Sequence, residues 1–312
     1  EAGIWQDDTG ETPTATPWLD TLVLDIDPDA VDHLEMVAPY KRLAFAREDV
    51  PVDTPEEDDA DEAETSPAPV PSWTLTAGGP GQPFKQSGLD GILRALDTLR
   101  ATDIVDNTDP ATWGLDAPAY ITTLSGPEWD TPLIVEGGRP DPSGDGYVRI
   151  QGRTGAPIYR LSKSNFDRIF GIGRSADLFE LEGFAVSSSD LTRIEVTQPE
   201  GDVVLVSHDD AWTIEHPEAQ FDPQTNTLEA VASGFANWRP ADYVDTVEQT
   251  GLDDPERSIR VTTVEGATHT LVIGSASEVF DGAYARKEGG DTVFLIGQTD
   301  LNRMFPNPSN LY

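Results

Sequence analysis

The second half of this chain repeats the landmarks of the first at a nearly constant spacing, and that repetition constrains the fold more than any other feature. Gly114-Leu115-Asp116-Ala117-Pro118 returns as Gly251-Leu252-Asp253-Asp254-Pro255, an offset of 137. Tyr147-Val148-Arg149 returns as Tyr284-Ala285-Arg286, again at 137. Phe170 matches Phe305 at 135, and Trp73 matches Trp212 at 139. Four landmarks in one order and register imply a tandem duplication, so each copy must close a core of its own.

Hydrophobic periodicity gives both copies the same element order. In the first, a helix over residues 87–100 places Leu89, Ile92, Leu93, Leu96 and Leu99 on one face. Strands are predicted at 120–124, 131–136, 146–151 and 157–161, then a short helix capped by Ser162 that carries Phe166, Ile169 and Phe170. In the second, strands at 194–197, 203–207 and 211–214 precede a helix at 226–238. Strands at 258–264, 268–273, 282–287 and 292–296 lead into a helix at 301–305. Further strands are predicted at 19–26 and 42–47. The expected fold is α+β: two tandem repeats, each a mostly antiparallel sheet with a covering helix. The expected layout is a tail over 1–18, a first repeat over 19–180 and a second over 181–312. Trp73 and Trp212 should be equivalent and both largely buried.

The first repeat carries an acidic insertion over 48–71. From Glu48 to Glu64 it holds ten acids and no base, and Pro51, Pro55, Pro67, Pro69 and Pro71 punctuate the wider run. Such a stretch offers too little apolar surface to order itself, so no regular secondary structure is expected there. An acidic loop for a cation or a protein partner is the functional alternative.

Charge excludes whole classes of function. The chain has 57 acidic and 20 basic residues, a formal charge of −37, and repels nucleic-acid phosphates and anionic lipid surfaces. No nucleic-acid partner is expected. The absence of cysteine rules out disulfides, zinc–thiolate sites, iron–sulfur clusters and thiol nucleophiles. Only 4 of the bases are Lys, while 35 of the acids are Asp. That balance suits a halophilic surface, because carboxylates stay hydrated when ions compete for water. A GC-rich genome with an extracytoplasmic address produces the same bias. No stretch approaches the 18 apolar residues of a membrane span, and the first residues do not resemble a signal peptide. A membrane tether is therefore expected to lie outside this chain.

Chemical motifs are sparse. His33, His208, His216 and His269 form no metal-binding spacing. His208-Asp209-Asp210 and His216 flank the Trp212 strand, where solvated strand ends compete with a His/Asp cluster as the reading. There is no Gly-x-Ser-x-Gly elbow. Gly171-Ile172-Gly173-Arg174-Ser175 follows a helix, and Gly78-Gly79-Pro80-Gly81 lacks a following Lys-Ser/Thr pair, so both read as turns. Asp141, Ser143 and Asp145 begin like a calcium loop, but Gly152 stands where its bidentate acid belongs. The second copy keeps only Asp281-Gly282 there, which favours a hairpin turn. No catalytic residue, resident metal or cofactor is expected. Tyr147 and Arg149 share one strand face, as do Tyr284 and Arg286. With Asp116 and Asp253 they form the candidate site, either as ion pairs that fix each turn or as a binding surface.

The landmarks together are a Trp strand, a helix, Gly-Leu-Asp-x-Pro, a short apolar strand, Tyr-x-Arg and an aromatic strand. The set resembles the domain of unknown function 4340 family from about Leu19 to Phe305. That resemblance implies a bacterial cell-envelope protein, often with one N-terminal membrane helix and encoded beside gliding-motility-type ABC transporters. It carries no catalytic residue across, and the acidic insertion departs from the family's pattern. The expected function is therefore a non-catalytic extracytoplasmic accessory or scaffold subunit of a membrane transporter or envelope assembly, periplasmic or membrane-anchored, with protein partners. The alternatives are a carboxylate- or metal-dependent hydrolase, and a salt-adapted surface or filament protein. Perturbed acids in a closed pocket would favour the hydrolase, and a flat apolar patch the scaffold.

Overall fold

The computed structural model describes residues 21–50, 70–105, 109–152, 157–209, 211–218, 221–245, 247, 249–278 and 280–312. The predicted tail and most of the acidic insertion lie outside these residues. The first copy runs β1 (His33–Ala38), β2 (Lys41–Val50), β3 (Val70–Ala77), α1 (Gln86–Asp97), β4 (Asp103–Val105), β5 (Tyr120–Ser125), β6 (Leu133–Gly137), β7 (Gly146–Ile150), β8 (Ile158–Leu161) and α2 (Lys163–Ile169). A four-residue helix, α3 (Ser175–Leu178), follows. The same order then returns as β9 (Leu191–Thr197), β10 (Val203–His208), β11 (Ala211–His216), α4 (Thr225–Ala236), β12 (Asp242–Val244), β13 (Arg257–Thr263), β14 (Thr268–Ala276), β15 (Gly282–Lys287), β16 (Val293–Gly297) and α5 (Gln298–Met304).

Each copy forms one eight-stranded antiparallel sheet. The orders are β3-β2-β1-β5-β6-β7-β8-β4 and β11-β10-β9-β13-β14-β15-β16-β12. They are the same permutation of equivalent strands, which is the fold class expected from the offsets. Two compact units result. One consists of the described parts of Glu1–Ala38 and Arg42–Ala77 with Gln86–Ile172; the other gathers Pro39–Lys41 and Gly78–Lys85 with Gly173–Tyr312.

Strand register locates the acidic run within this scheme. Arg47 pairs with Trp73 and Glu48 with Ser72 in the first sheet. Ser207 pairs with Trp212 and His208 with Ala211 in the second. In sequence, residues 49–71 therefore fill the interval that holds only residues 209 and 210 in the second copy. The strands continue into the segment from both sides, because Asp49 pairs with Pro71 and Val50 with Val70. The expectation of no regular structure fails for these flanking residues. Residues that match the partner strand are recruited by the ladder, whatever their composition.

Alternating burial shows that one face of each sheet is packed. Leu34, Met36, Tyr120, Thr122, Leu124, Val148 and Ile150 point into the first core, where α1 contributes Leu89, Ile92, Leu93 and Leu96. Each aliphatic side chain among these contributes about 1.5–3 kcal/mol on burial. In α2, Phe166 packs against Tyr120 with ring centroids 5.1 Å apart. In the second copy Leu228, Val231 and Phe235 of α4 and Leu301 and Met304 of α5 take these places.

The repeated Gly-Leu-Asp-x-Pro has a backbone cause. Gly114 and Gly251 are both left-handed, at φ 69° and 68°. A Cβ on Gly114 would lie 2.9 Å from the Arg139 nitrogen, and one on Gly251 would lie 2.8 Å from the Ser275 nitrogen. Across the contact, a Cβ on Gly138 or Gly274 would overlap the carbonyl oxygen of Trp113 or Thr250. Glycine is needed on both sides in each copy.

Two expectations are corrected. Residues 19–26 form no strand among those described; Leu22 makes a single bridge to Arg100. Val23 and Leu24 instead donate to the Leu99 carbonyl, just beyond α1, and Ile26 to that of Asp97, the last residue of the helix. Trp73 is buried, but Trp212 on the outermost strand of its sheet is only half-buried.

Candidate functional site

The six residues singled out from the repeats occupy equivalent places but do not make equivalent contacts. Arg149 on β7 lies opposite Glu136 on β6, and its Nε donates to the Glu136 carboxylate at 2.6 Å. The equivalent of Glu136 is Val272, which lies opposite Arg286. With no carboxylate across the ladder, Arg286 donates instead to the Leu252 carbonyl at 3.3 Å, inside the second Gly-Leu-Asp-x-Pro turn. Asp116 and Asp253 are exposed and pair with neither arginine among the described residues. Tyr147 packs on Trp113 with centroids 4.3 Å apart, whereas Tyr284 is buried. Sequence duplication brought these residues to matching positions; one cross-strand difference gave the two arginines different partners.

The calcium-loop candidate is an arginine clamp. The Arg160 guanidinium reaches Asp141 at 3.0 Å and Asp145 at 3.2 Å. Asp145 also accepts from the Lys163 amide at 2.9 Å, at the start of α2. The Ser143 hydroxyl, foremost, and Arg160 hold the Asp141 carboxyl below its ordinary pKa. These oxygens are committed to protein donors. No group of three or more His, Asp or Glu among the described residues could hold a metal ion. His208 and His216 lie at opposite ends of the β10–β11 ladder, so they do not cluster.

The concentration of chemistry lies elsewhere, on residues that the sequence reading passed over. Lys41, Ser175 and Asp242 in the second unit are almost inaccessible, with relative exposures of 2%, 0% and 0%. Lys41 Nζ lies 2.7 Å from both Asp242 oxygens and 2.8 Å from Ser175 Oγ. Asp242 Oδ2 also accepts from the Tyr40 hydroxyl at 2.9 Å and the Gly173 amide at 2.7 Å. Its Oδ1 accepts from the Tyr243 amide at 2.9 Å and from the Ser175 hydroxyl. The Tyr243 hydroxyl in turn accepts from the Gly79 amide at 3.0 Å.

Both glycine loops read as ordinary turns therefore have a task. Gly173 and Ser175 do cradle an anion, but the anion is the protein's own carboxylate. Burial pushes the Lys41 ammonium below its ordinary pKa, with the Asp242 carboxylate opposing the shift. Burial raises the Tyr243 phenol well above the ordinary tyrosine value, and Asp245 adds to this.

A lysine beside a serine hydroxyl is a known way to make a nucleophile. Here the arrangement cannot act that way. Ser175 has no accessible surface for a substrate, and the lysine is held by a carboxylate whose lone pairs are occupied. The group is a buried polar lock.

A sequence signal for it existed. Asp103-Ile104-Val105-Asp106 and Asp242-Tyr243-Val244-Asp245 are a repeat at offset 139. Asp103 receives the amide of Ile104 at 2.8 Å as Asp242 receives that of Tyr243. What that repeat cannot disclose is that the second aspartate also meets Lys41.

Residues 240–312 match the model of the family described as Domain of unknown function (DUF4340). The match covers β12 to the C-terminal residue and supports the resemblance read from the landmarks. No curated protein and no solved structure matches the chain.

Proposed function

Proceeding from the match of residues 240–312 to the DUF4340 family, we propose that the chain is a non-catalytic accessory or scaffold subunit of an extracytoplasmic envelope or transporter assembly. The observation that carries this reading is the saturated state of the Lys41–Asp242–Ser175 group. The residues best suited to acid–base or nucleophilic work are enclosed and bonded to one another. What the protein offers to its surroundings is surface, and that surface is acidic. Among the described residues only Phe221 and Val264 are large exposed hydrophobics. The flat apolar patch expected of a scaffold is thus not found among the described residues, and contact with partners is expected to run through polar and charged groups instead.

The test is native isolation. The tagged full-length protein is cross-linked in its own cells, extracted from the membrane fraction at the salt of growth, and its neighbours are identified. The expected result is recovery with a fixed set of membrane or envelope proteins in constant ratio. Recovery alone, from the cytoplasmic fraction, would overturn the proposal.

A further inference from the structure

Each copy has a groove between its helix and its outermost strand, and the two grooves are lined by equivalent residues. In the first, Trp73 on β3 lies below Asp90, Leu93 and Arg94 of α1, with Arg47 of β2 alongside. In the second, Trp212 lies below Glu229, Ala232 and Ser233 of α4, with Ser207 of β10 alongside. The helix residues correspond at offset 139, as Trp73 and Trp212 do. Arg47 and Ser207 correspond because each pairs directly with its tryptophan.

The first groove is filled by its own side chains. Arg47 donates to the Asp29 carbonyl at 2.9 Å, and Gln86 at the start of α1 holds both the amide and the carbonyl of Trp73. Trp73 is buried as a result. The second groove has lost each of these fillings. Both arginines are serines, Leu93 has become Ala232, Gln86 has become Thr225, and Asp29 has become Ser189. The space rises from about 390 to about 810 Å³, and Trp212 is half-exposed. Ser207, Asn226 and Glu229 make no side-chain hydrogen bond or ion pair among the described residues.

We propose that this groove binds a neutral saccharide, stacked on the Trp212 indole and hydrogen-bonded by the hydroxyls and amide around it. An indole face takes the C–H side of a sugar ring, and serine, asparagine and a single carboxylate suit its hydroxyls as donors and acceptors. Removal of both arginines leaves Glu229 as the only charged lining residue among those described, and the chain carries −37 overall. Anionic glycans are therefore repelled. The site is independent of the accessory role proposed above, since a free-standing binding protein would contain it equally.

The experiment is a titration of the full chain with maltohexaose, cellohexaose and chitohexaose, followed by tryptophan fluorescence and calorimetry and backed by a neutral-glycan array. At least one neutral glycan should bind saturably with a shift in indole emission. Trp212→Ala should weaken that binding at least tenfold. Ser233→Arg, which refills the groove with the residue of the first copy, should do the same without moving the melting temperature. Absence of binding across the array would overturn the proposal. So would binding indifferent to Ser233→Arg, or binding of choline in place of every sugar, which would make the groove a cation site.

Discussion

Replacing Lys41 by Met removes the cation from a carboxylate that has no exposed surface. Asp242 keeps four donors in that variant: the Tyr40 and Ser175 hydroxyls and the Gly173 and Tyr243 amides. Those bonds moderate the loss but supply no full positive charge. Breaking a buried pair from one side costs about 3–5 kcal/mol, and the retained donors place Lys41→Met toward the lower figure. Asp242→Asn should cost a similar amount, because it leaves the ammonium buried without its counter-charge. The double variant leaves neither charge stranded, so it should be more stable than the sum of the single losses implies, by about 2 kcal/mol. Urea unfolding followed by tryptophan emission at fixed high salt measures all four proteins of this cycle. A Lys41→Met loss below about 1 kcal/mol, the range of exposed pairs, would refute the view of this group as a buried lock. Strict additivity would refute it as well.

Further outcomes follow from the same contacts. Glu136→Gln and Arg149→Gln should couple by about 1–3 kcal/mol, as expected for a partly buried charged hydrogen bond, whereas Asp253→Asn and Arg286→Gln should be additive within about 0.5 kcal/mol. The reverse ranking would show that the turn aspartate is the true partner. The raised pKa of Tyr243 means that the folded chain keeps a proton which the unfolded chain releases above about pH 10. Its stabilisation is complete below that pH and is lost as pH rises further. Tyr243→Phe should therefore flatten the alkaline limb of a stability–pH curve, and parallel limbs would count against it. With −37 charges, the melting temperature should climb as potassium chloride rises from low to molar levels; a flat response would remove the argument from self-repulsion.

The architecture was legible because duplication converts weak local signals into paired ones. The strand predicted over 282–287 coincides with β15, and Ser162 caps α2 with its hydroxyl accepting from the Asn165 amide at 3.4 Å. Strands β4 and β12 escaped notice because three residues are too few to show a period. The segment around Leu22–Leu24 misled for the opposite reason: Val23 and Leu24 are buried, but the backbone there bonds to residues 97–99 at and beyond the end of α1 and forms no strand. The Lys41–Asp242 contact spans 201 residues, a separation at which no local pattern operates. Trp212 shows that equivalent positions need not be equally buried. The neighbours that enclose Trp73 are themselves substituted in the second copy.

The position of the acidic run has a kinetic consequence. Each sheet is closed by joining its first strand to its fifth, and the inserted residues lie within that loop. Leu34 pairs with Leu124 across 90 positions, and Ile194 pairs with Val261 across 67. Closure entropy grows only with the logarithm of loop length, so this difference raises the cost by about 0.3 kcal/mol. Such a penalty slows ring closure less than twofold. The connection between the two outermost strands of a sheet is thus a place where a chain can lengthen by some twenty residues while the search for its central strand pair proceeds at almost the same pace in both halves.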